Sequence, residues 1–330
     1  MPLNPSAKLN PALLNISQLE QKPTRDGYGQ GIVIAGKANK EVVVLCCDLT
    51  ESTRSLAFKK EFPDRFVQLG VSEQSMIVIA AGLALAGKVP WTSSYAVFSP
   101  GRSWEQVRTN MALNVANVKI AGAHSGVSVG PDGATHQAIE DIAIMRVIPN
   151  MTVIAPADMI ETKKAVIAAS KMQGPVYVRF AREKSPVFTT EETPFEIGKA
   201  VTLWDGTDVA IIACGPLVHN ALLAAGELAK KKISARVINM HTIKPLDEEA
   251  ILKAAQECGA IVTVEEHQIS GGLGGAVCEV LAEQFPTPVE RIGVRDRFGE
   301  SGEPNELIEA FGMGVSHITE AVLKVLARKH

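Results

Sequence analysis

The sequence predicts an α/β protein of two three-layer domains, each a parallel sheet with helices on both faces. Three observations predict it. Short β-branched runs alternate with segments of helical period along nearly the whole chain. A Pro-, Thr- and Glu-rich stretch, EKSPVFTTEETPFE (183–196), divides two such sets and reads as a linker. At 330 residues the chain is long enough for two domains that each bury a core. The expected domains are residues 1–190 and 191–330.

After a Pro- and Gln-rich lead-in, Thr24–Gly36 reads as the first helix, with Gly27, Gly29 and Gly31 weakening it. Strands are expected at Val42–Cys47, Phe66–Leu69, Val89–Ser94, Val118–Ala121, Met151–Ile154 and Val176–Phe180. Helices between them are expected at Ser75–Ala86, Trp104–Leu113, Gln137–Met145 and Glu161–Met172. The second set has strands Val209–Ala213, Ala235–Asn239, Ile261–Val264 and Val289–Val294. Its helices are Val218–Lys231, Glu248–Cys258 and Gly275–Phe285, followed by a helical tail ending near Lys329.

Hydrophobic residues make up 46% and charged residues 21% of the chain, ordinary values for a soluble globular protein. A net charge of -3 argues against a general nucleic-acid or anionic-membrane binder, although local basic residues can still hold a small phosphate. The N-terminal MPLNPSAKLNPALLN has neither a basic nor an apolar signal region. The most apolar run, Met76–Gly87, is too short to span a bilayer. Cys46, Cys47, Cys214, Cys258 and Cys278 form no CxxC pair and read as buried reduced thiols of a cytoplasmic protein.

In an open parallel sheet, ligands bind beyond the carboxyl ends of the strands. Polar or aromatic residues fall at those ends here: Asp48 after VVVLCC, Glu73 after FVQLGV, Tyr95 after VPWTSS, His124 after VKIAGA and Arg182 after VYVRFA. Each has a plain structural explanation when taken alone. Ser72 and Glu73 in GVSEQSM are what a helix N-terminus favours. The alternative for Glu73 is a carboxyl group in an apolar crevice, where loss of water favours the protonated form and allows proton sharing.

HSGVSVGPDGATHQ (124–137) joins a strand to a helix, and carries His124, Asp132 and His136 on a Gly-rich loop. An Asp-Gly turn and a Thr cap explain part of it, and polar-ligand binding explains the rest. WTSSYAVFSPGRSW (91–104) concentrates aromatics in a chain with 5% of them, so Tyr95 and Phe98 face either the core or a planar ligand. ACGP (213–216) and ISGGLGGA (269–276) resemble phosphate-cradling turns but read as tight turns; Gly272-x-Gly274 lacks the third glycine of a dinucleotide fingerprint.

GVSEQSM, TSSYAVF, GPDGATHQ, INMHTIKPLD and VEEHQISGGLGG, in this order, resemble the C-terminal half of transketolase from about Thr24 to the C-terminus. The resemblance implies a thiamine-diphosphate pyrimidine-binding domain followed by a transketolase C-terminal domain. Glu73 matches the glutamate that hydrogen-bonds N1′ of the aminopyrimidine and shares the proton by which the cofactor is activated. Tyr95 and Phe98 match aromatics that pack on the pyrimidine, and Asp48 matches an aspartate near the thiazolium. Arg25, Ser52, His124 and Arg182 match groups that hold the sugar phosphate through charge-assisted donors. Asp132 and His136 match residues that read the sugar hydroxyls, and His136 also stabilises the reacting alkoxide.

The pattern departs from the family in places. A third aromatic is replaced near Gly101, which implies a more open pyrimidine pocket, and Arg179 competes with Arg182 for the phosphate. The family's GDG metal motif is absent, PDG standing at 131–133, so no metal ligands are expected in this chain. The resemblance therefore implies a split transketolase, with Mg2+ and the cofactor diphosphate held by a separate N-terminal subunit in a heterotetramer of two plus two chains. The implied activity is transfer of a two-carbon ketol unit between sugar phosphates. Alternatives are a deoxyxylulose-phosphate synthase-like enzyme, a 2-oxo acid dehydrogenase beta-type subunit, or a non-catalytic subunit with the same fold.

Overall fold

Runs such as VVVLC bury all of their residues, as strands covered by helices on both faces must. The computed structural model describes residues 3–329. Its first part runs β1 (Gln21–Pro23), α1 (Thr24–Ala38), β2 (Val42–Cys46), α2 (Leu56–Glu61), β3 (Phe66–Gln68), α3 (Glu73–Leu85) and β4 (Val89–Tyr95). There follow α4 (Trp104–Gln106), which continues as π-helical turns over Val107–Ala112, then β5 (Lys119–Ala123), α5 (Asp141–Arg146), β6 (Thr152–Ile154), α6 (Met159–Lys171), β7 (Val176–Arg179) and β8 (Lys184–Pro186). The second part runs β9 (Val201–Trp204), β10 (Val209–Ala213), α7 (Leu217–Lys230), β11 (Ala235–Asn239), β12 (Thr242–Lys244) and α8 (Glu248–Cys258). It closes with β13 (Ile261–Gln268), α9 (Leu273–Gln284), β14 (Val289–Val294), α10 (Pro304–Ala310) and α11 (Val315–Leu326).

A seven-stranded sheet has the order β12-β6-β7-β5-β4-β2-β3, and a five-stranded sheet the order β14-β13-β10-β11-β9. Both are parallel except at one edge, where β12 and β9 run antiparallel. β3 and β4 lie on opposite sides of β2, so the strand order switches there and opens a crevice at the carboxyl ends. Segments from each side cross the expected 190/191 division. β12 pairs with β6 of the first sheet, and Ala7, Leu13 and Leu19 pack in the core of the second.

The glycines that weaken α1 on paper let it press against α6. A Cβ at Gly27 would lie 2.1 Å from Met159 O. The segment expected to be a linker is tied down instead. β8 pairs with β1, and the buried Asp158 carboxylate accepts from Phe188 N (2.9 Å), Thr189 N (2.7 Å) and Thr189 Oγ1 (2.7 Å). The helix expected from Gln137 starts only at Asp141, because Gln137 Nε2 donates to the carbonyls of Val127, Gly130 and Glu300 and holds its segment extended.

Candidate active site

β2, β3, β4, β5 and β7 are mutually parallel, so the residues just beyond them share one sheet edge. Asp48, Glu73, Tyr95, His124 and Arg182 all lie there, joined by Ser52 after β2 and by Arg25 in the first turn of α1. Ser72 donates its hydroxyl to Leu69 O (2.9 Å) and does not cap α3. Glu73 opens α3 yet is 2% exposed. Its Oε1 accepts from Ser94 Oγ (3.2 Å) and its Oε2 from Arg102 Nη1 (2.8 Å). Helix-end chemistry alone leaves a first-turn carboxylate in water, and this one is buried with two donors.

Phe98 and Tyr95 stack at 6.0 Å between centroids, and His136 meets both edge-on at 5.4 and 6.0 Å. The two rings then diverge in partners. Tyr95 lies face to face with His124 at 3.8 Å, and its hydroxyl is 2.7 Å from Ser52 Oγ. Phe98 carries the Arg102 guanidinium 4.7 Å above its centroid. The pocket expected to be more open near Gly101 is therefore covered. A Cβ at Gly101 would meet Val97 O at 2.1 Å, so no side chain fits there, and the next residue, Arg102, reaches over the ring.

Arg25 Nη1 donates to Ser52 O (2.9 Å) and lies 3.5 Å from His124 Nε2, with Ser52 Oγ 3.3 Å from the same nitrogen. Burial, reinforced by the charges of Arg25 and Arg182, pushes the His124 pKa down to about 2. Burial thus favours a neutral His124 imidazole, and the positive charge at this corner comes from the arginines. Burial and the neighbouring Arg54 also push Arg25 below its ordinary value. Because Arg25 can only donate, Nε2 accepts and the imidazole proton falls on Nδ1, a buried atom with no partner among the described residues. A buried unpaired N–H is costly unless a ligand supplies an acceptor. His124 also holds a positive φ of 56°, a strained backbone for a non-glycine residue.

The two competing arginines part company. Arg179 is 4% exposed, and it donates to Asp141 Oδ2 (2.8 Å), Ala138 O (3.3 Å) and Glu266 O (2.7 Å), tying β7 to β13. Arg182 is half-buried beside the loop and pairs with Asp132 Oδ2 (3.1 Å) and Glu183 Oε1 (3.4 Å). Asp48 is exposed, and its Oδ1 accepts from Gln68 Nε2 (3.2 Å) beside β3. The sequence reading missed Ser94 and Arg102. The available signal for Arg102 was its place four residues after Phe98, beside the glycine where an aromatic is lost.

The Gly-rich turn before α9 is occupied by the protein itself. Leu273 N and Gly274 N each donate to the buried Glu265 carboxylate at 2.7 Å, the place an anion would take at a helix N-terminus. Among the described residues, no group of three or more His, Cys, Asp or Glu could hold a metal ion, and no helix is long and apolar enough to cross a membrane.

Residues 20–187 match the transketolase pyrimidine-binding domain, and residues 198–318 match the transketolase C-terminal domain. The chain belongs to the transketolase family. A protein of Methanocaldococcus jannaschii described as a transketolase C-terminal section is 46% identical over 93% of this chain and 98% of its own length. The 6-deoxy-6-sulfo-D-fructose transketolase subunit SqwH of a Clostridium species is 41% identical over 95% of this chain and 97% of its own. The solved structure of a split-gene transketolase, an inactive beta4 tetramer, superposes with a TM-score of 0.88 and 44% identity, over 93% of this chain and 99% of that one.

Proposed function

We propose that this chain is the C-terminal subunit of a split thiamine-diphosphate-dependent transketolase that moves a two-carbon ketol unit from a ketose phosphate to an aldose phosphate. The observation that carries the reading is the buried Glu73 carboxyl, joined through Arg102 to the Phe98 ring, at the switch point of a parallel sheet. Those residues fit an aminopyrimidine, which needs a carboxyl partner for N1′ and an aromatic face. When bound, thiamine diphosphate supplies a carbon nucleophile at its thiazolium C2.

This chain's residues then divide the remaining work. Glu73 shares a proton at N1′, and Ser94, donating to Oε1, fixes which oxygen is free to do so. Phe98 and Tyr95 wall the ring site, and Asp48 belongs on the thiazolium side. Arg25 and Arg182 supply positive charge for the sugar phosphate, with Ser52 and the Nδ1–H of neutral His124 as further donors. Asp132 and His136 read the sugar hydroxyls, and His136 stabilises the oxygen at which charge develops.

We assign the cofactor diphosphate and its Mg2+ to a separate N-terminal subunit. Three things support this: the PDG at 131–133 in place of GDG, relatives of the same length described as sections or subunits, and the split-gene neighbour. Two copies of each subunit in the cytoplasm complete the reading. It is tested by mixing this chain with the N-terminal transketolase section of the same source and assaying xylulose 5-phosphate plus ribose 5-phosphate. The expected result is no transfer by either chain alone and transfer by the mixture. Full activity of this chain alone, or turnover of pyruvate plus glyceraldehyde 3-phosphate in place of the sugar pair, contradicts it.

A further inference from the structure

We propose that Arg102 is a place-holder for the aminopyrimidine. In the chain without cofactor its guanidinium lies between Glu73 and Phe98, and the incoming ring must displace it, so Arg102 sets the affinity of the site. This rests on the cofactor reading above and goes beyond it.

An aminopyrimidine needs two things from this crevice, a carboxylate oxygen in its plane and an aromatic face. Arg102 uses both. Nη1 is 2.8 Å from Glu73 Oε2, and the guanidinium carbon is 4.7 Å from the Phe98 centroid. Ser94 already engages Oε1, so Oε2 is the oxygen at issue. A guanidinium and a protonated aminopyrimidine are alike in the relevant respects, each being flat, cationic and edged with N–H donors. One carboxylate oxygen and one ring face cannot serve both.

The pair also solves a problem of the empty site. An ionised carboxyl that is 2% exposed is costly unless a cation meets it. The Arg102 side chain is 48% exposed, so it satisfies Glu73 from the solvent side and can return to water when replaced. The backbone need not follow. Arg102 N donates to Phe98 O (3.1 Å), and Gly101 packs against Val97 O, so the turn is fixed and the side chain alone moves. Proton sharing by Glu73 makes the exchange necessary, because a guanidinium bonded to Oε2 blocks the oxygen that N1′ needs.

The test uses the full chain and thiamine, which carries the aminopyrimidine without the diphosphate. Titration calorimetry of wild type and Arg102→Met should show at least about tenfold tighter binding by the variant, with Arg102→Lys within about threefold of wild type. In wild type, the 15N signal of the Arg102 side chain should move to that of a solvent-exposed arginine as thiamine saturates, a reading that needs no variant to fold. Equal or weaker binding by folded Arg102→Met, or an unmoved arginine signal at saturation, overturns the place-holder alone. No thiamine binding by wild type or variant at millimolar concentration also overturns the place-holder, whereas the cofactor reading stands or falls on the mixed-subunit assay above.

Discussion

Methionine in place of Arg179 keeps roughly the volume of the side chain and removes all of its donors. The Arg179 and Asp141 side chains are 3% and 1% exposed, so the change strands a buried carboxylate whose remaining partner is the Tyr177 hydroxyl at 2.6 Å. It also takes a donor from Glu266 O and from Ala138 O. Breaking a buried pair from one side costs about 3–5 kcal/mol. With the unfolding entropy typical of globular chains, that lowers the melting temperature of 330 cooperatively unfolding residues by about 6 °C. Arg182→Met breaks a half-exposed pair with Asp132 and should cost less than about 1 kcal/mol. Urea and thermal unfolding followed by circular dichroism compare the two. A change within about 1 kcal/mol of wild type for Arg179→Met, or an equal loss for Arg182→Met, refutes the structural role given to Arg179.

Two buried groups predict opposite dependences on pH. Burial lowers the His241 pKa to about 4, so its contribution is present above about 6.5 and lost as pH falls through 4. His241→Gln should therefore escape about 3 kcal/mol of acid destabilisation, read from urea midpoints between pH 6.5 and 4. Burial raises the Glu161 pKa to about 7, so its contribution is present below about 4.5 and lost as pH rises through 7. Glu161→Gln should remove a comparable fall over pH 4.5–7, and an unchanged slope in either variant contradicts its sign.

The sheets and the site edge were legible because their signals are local. Short β-branched runs announce the strands, and Asp48, Glu73, Tyr95, His124 and Arg182 each fall at or just past the end of one. What escaped depends on distant partners. β12 is three residues long and is held by β6, about ninety residues earlier in the chain. Gln137 looked helical until three carbonyls held its segment extended. Pro and Thr at 183–196 looked like a linker because nothing nearby indicates that Asp158 gathers Phe188 and Thr189. The neutral state of His124 was also hidden, since burial first and then the charges of Arg25 and Arg182 set it, and neither is local in sequence. Arg102 was hidden for the same reason, since its meaning lies in Glu73, which is 29 residues away in sequence.

The central claim is that Glu73 shares the proton on which the transfer depends. Glu73→Gln keeps shape and hydrogen bonding and removes the carboxyl, so it should assemble normally with the N-terminal subunit. Its kcat in the xylulose 5-phosphate plus ribose 5-phosphate assay should fall by about a hundredfold or more. A Glu73→Gln complex that assembles and turns over within a few-fold of wild type would contradict the account.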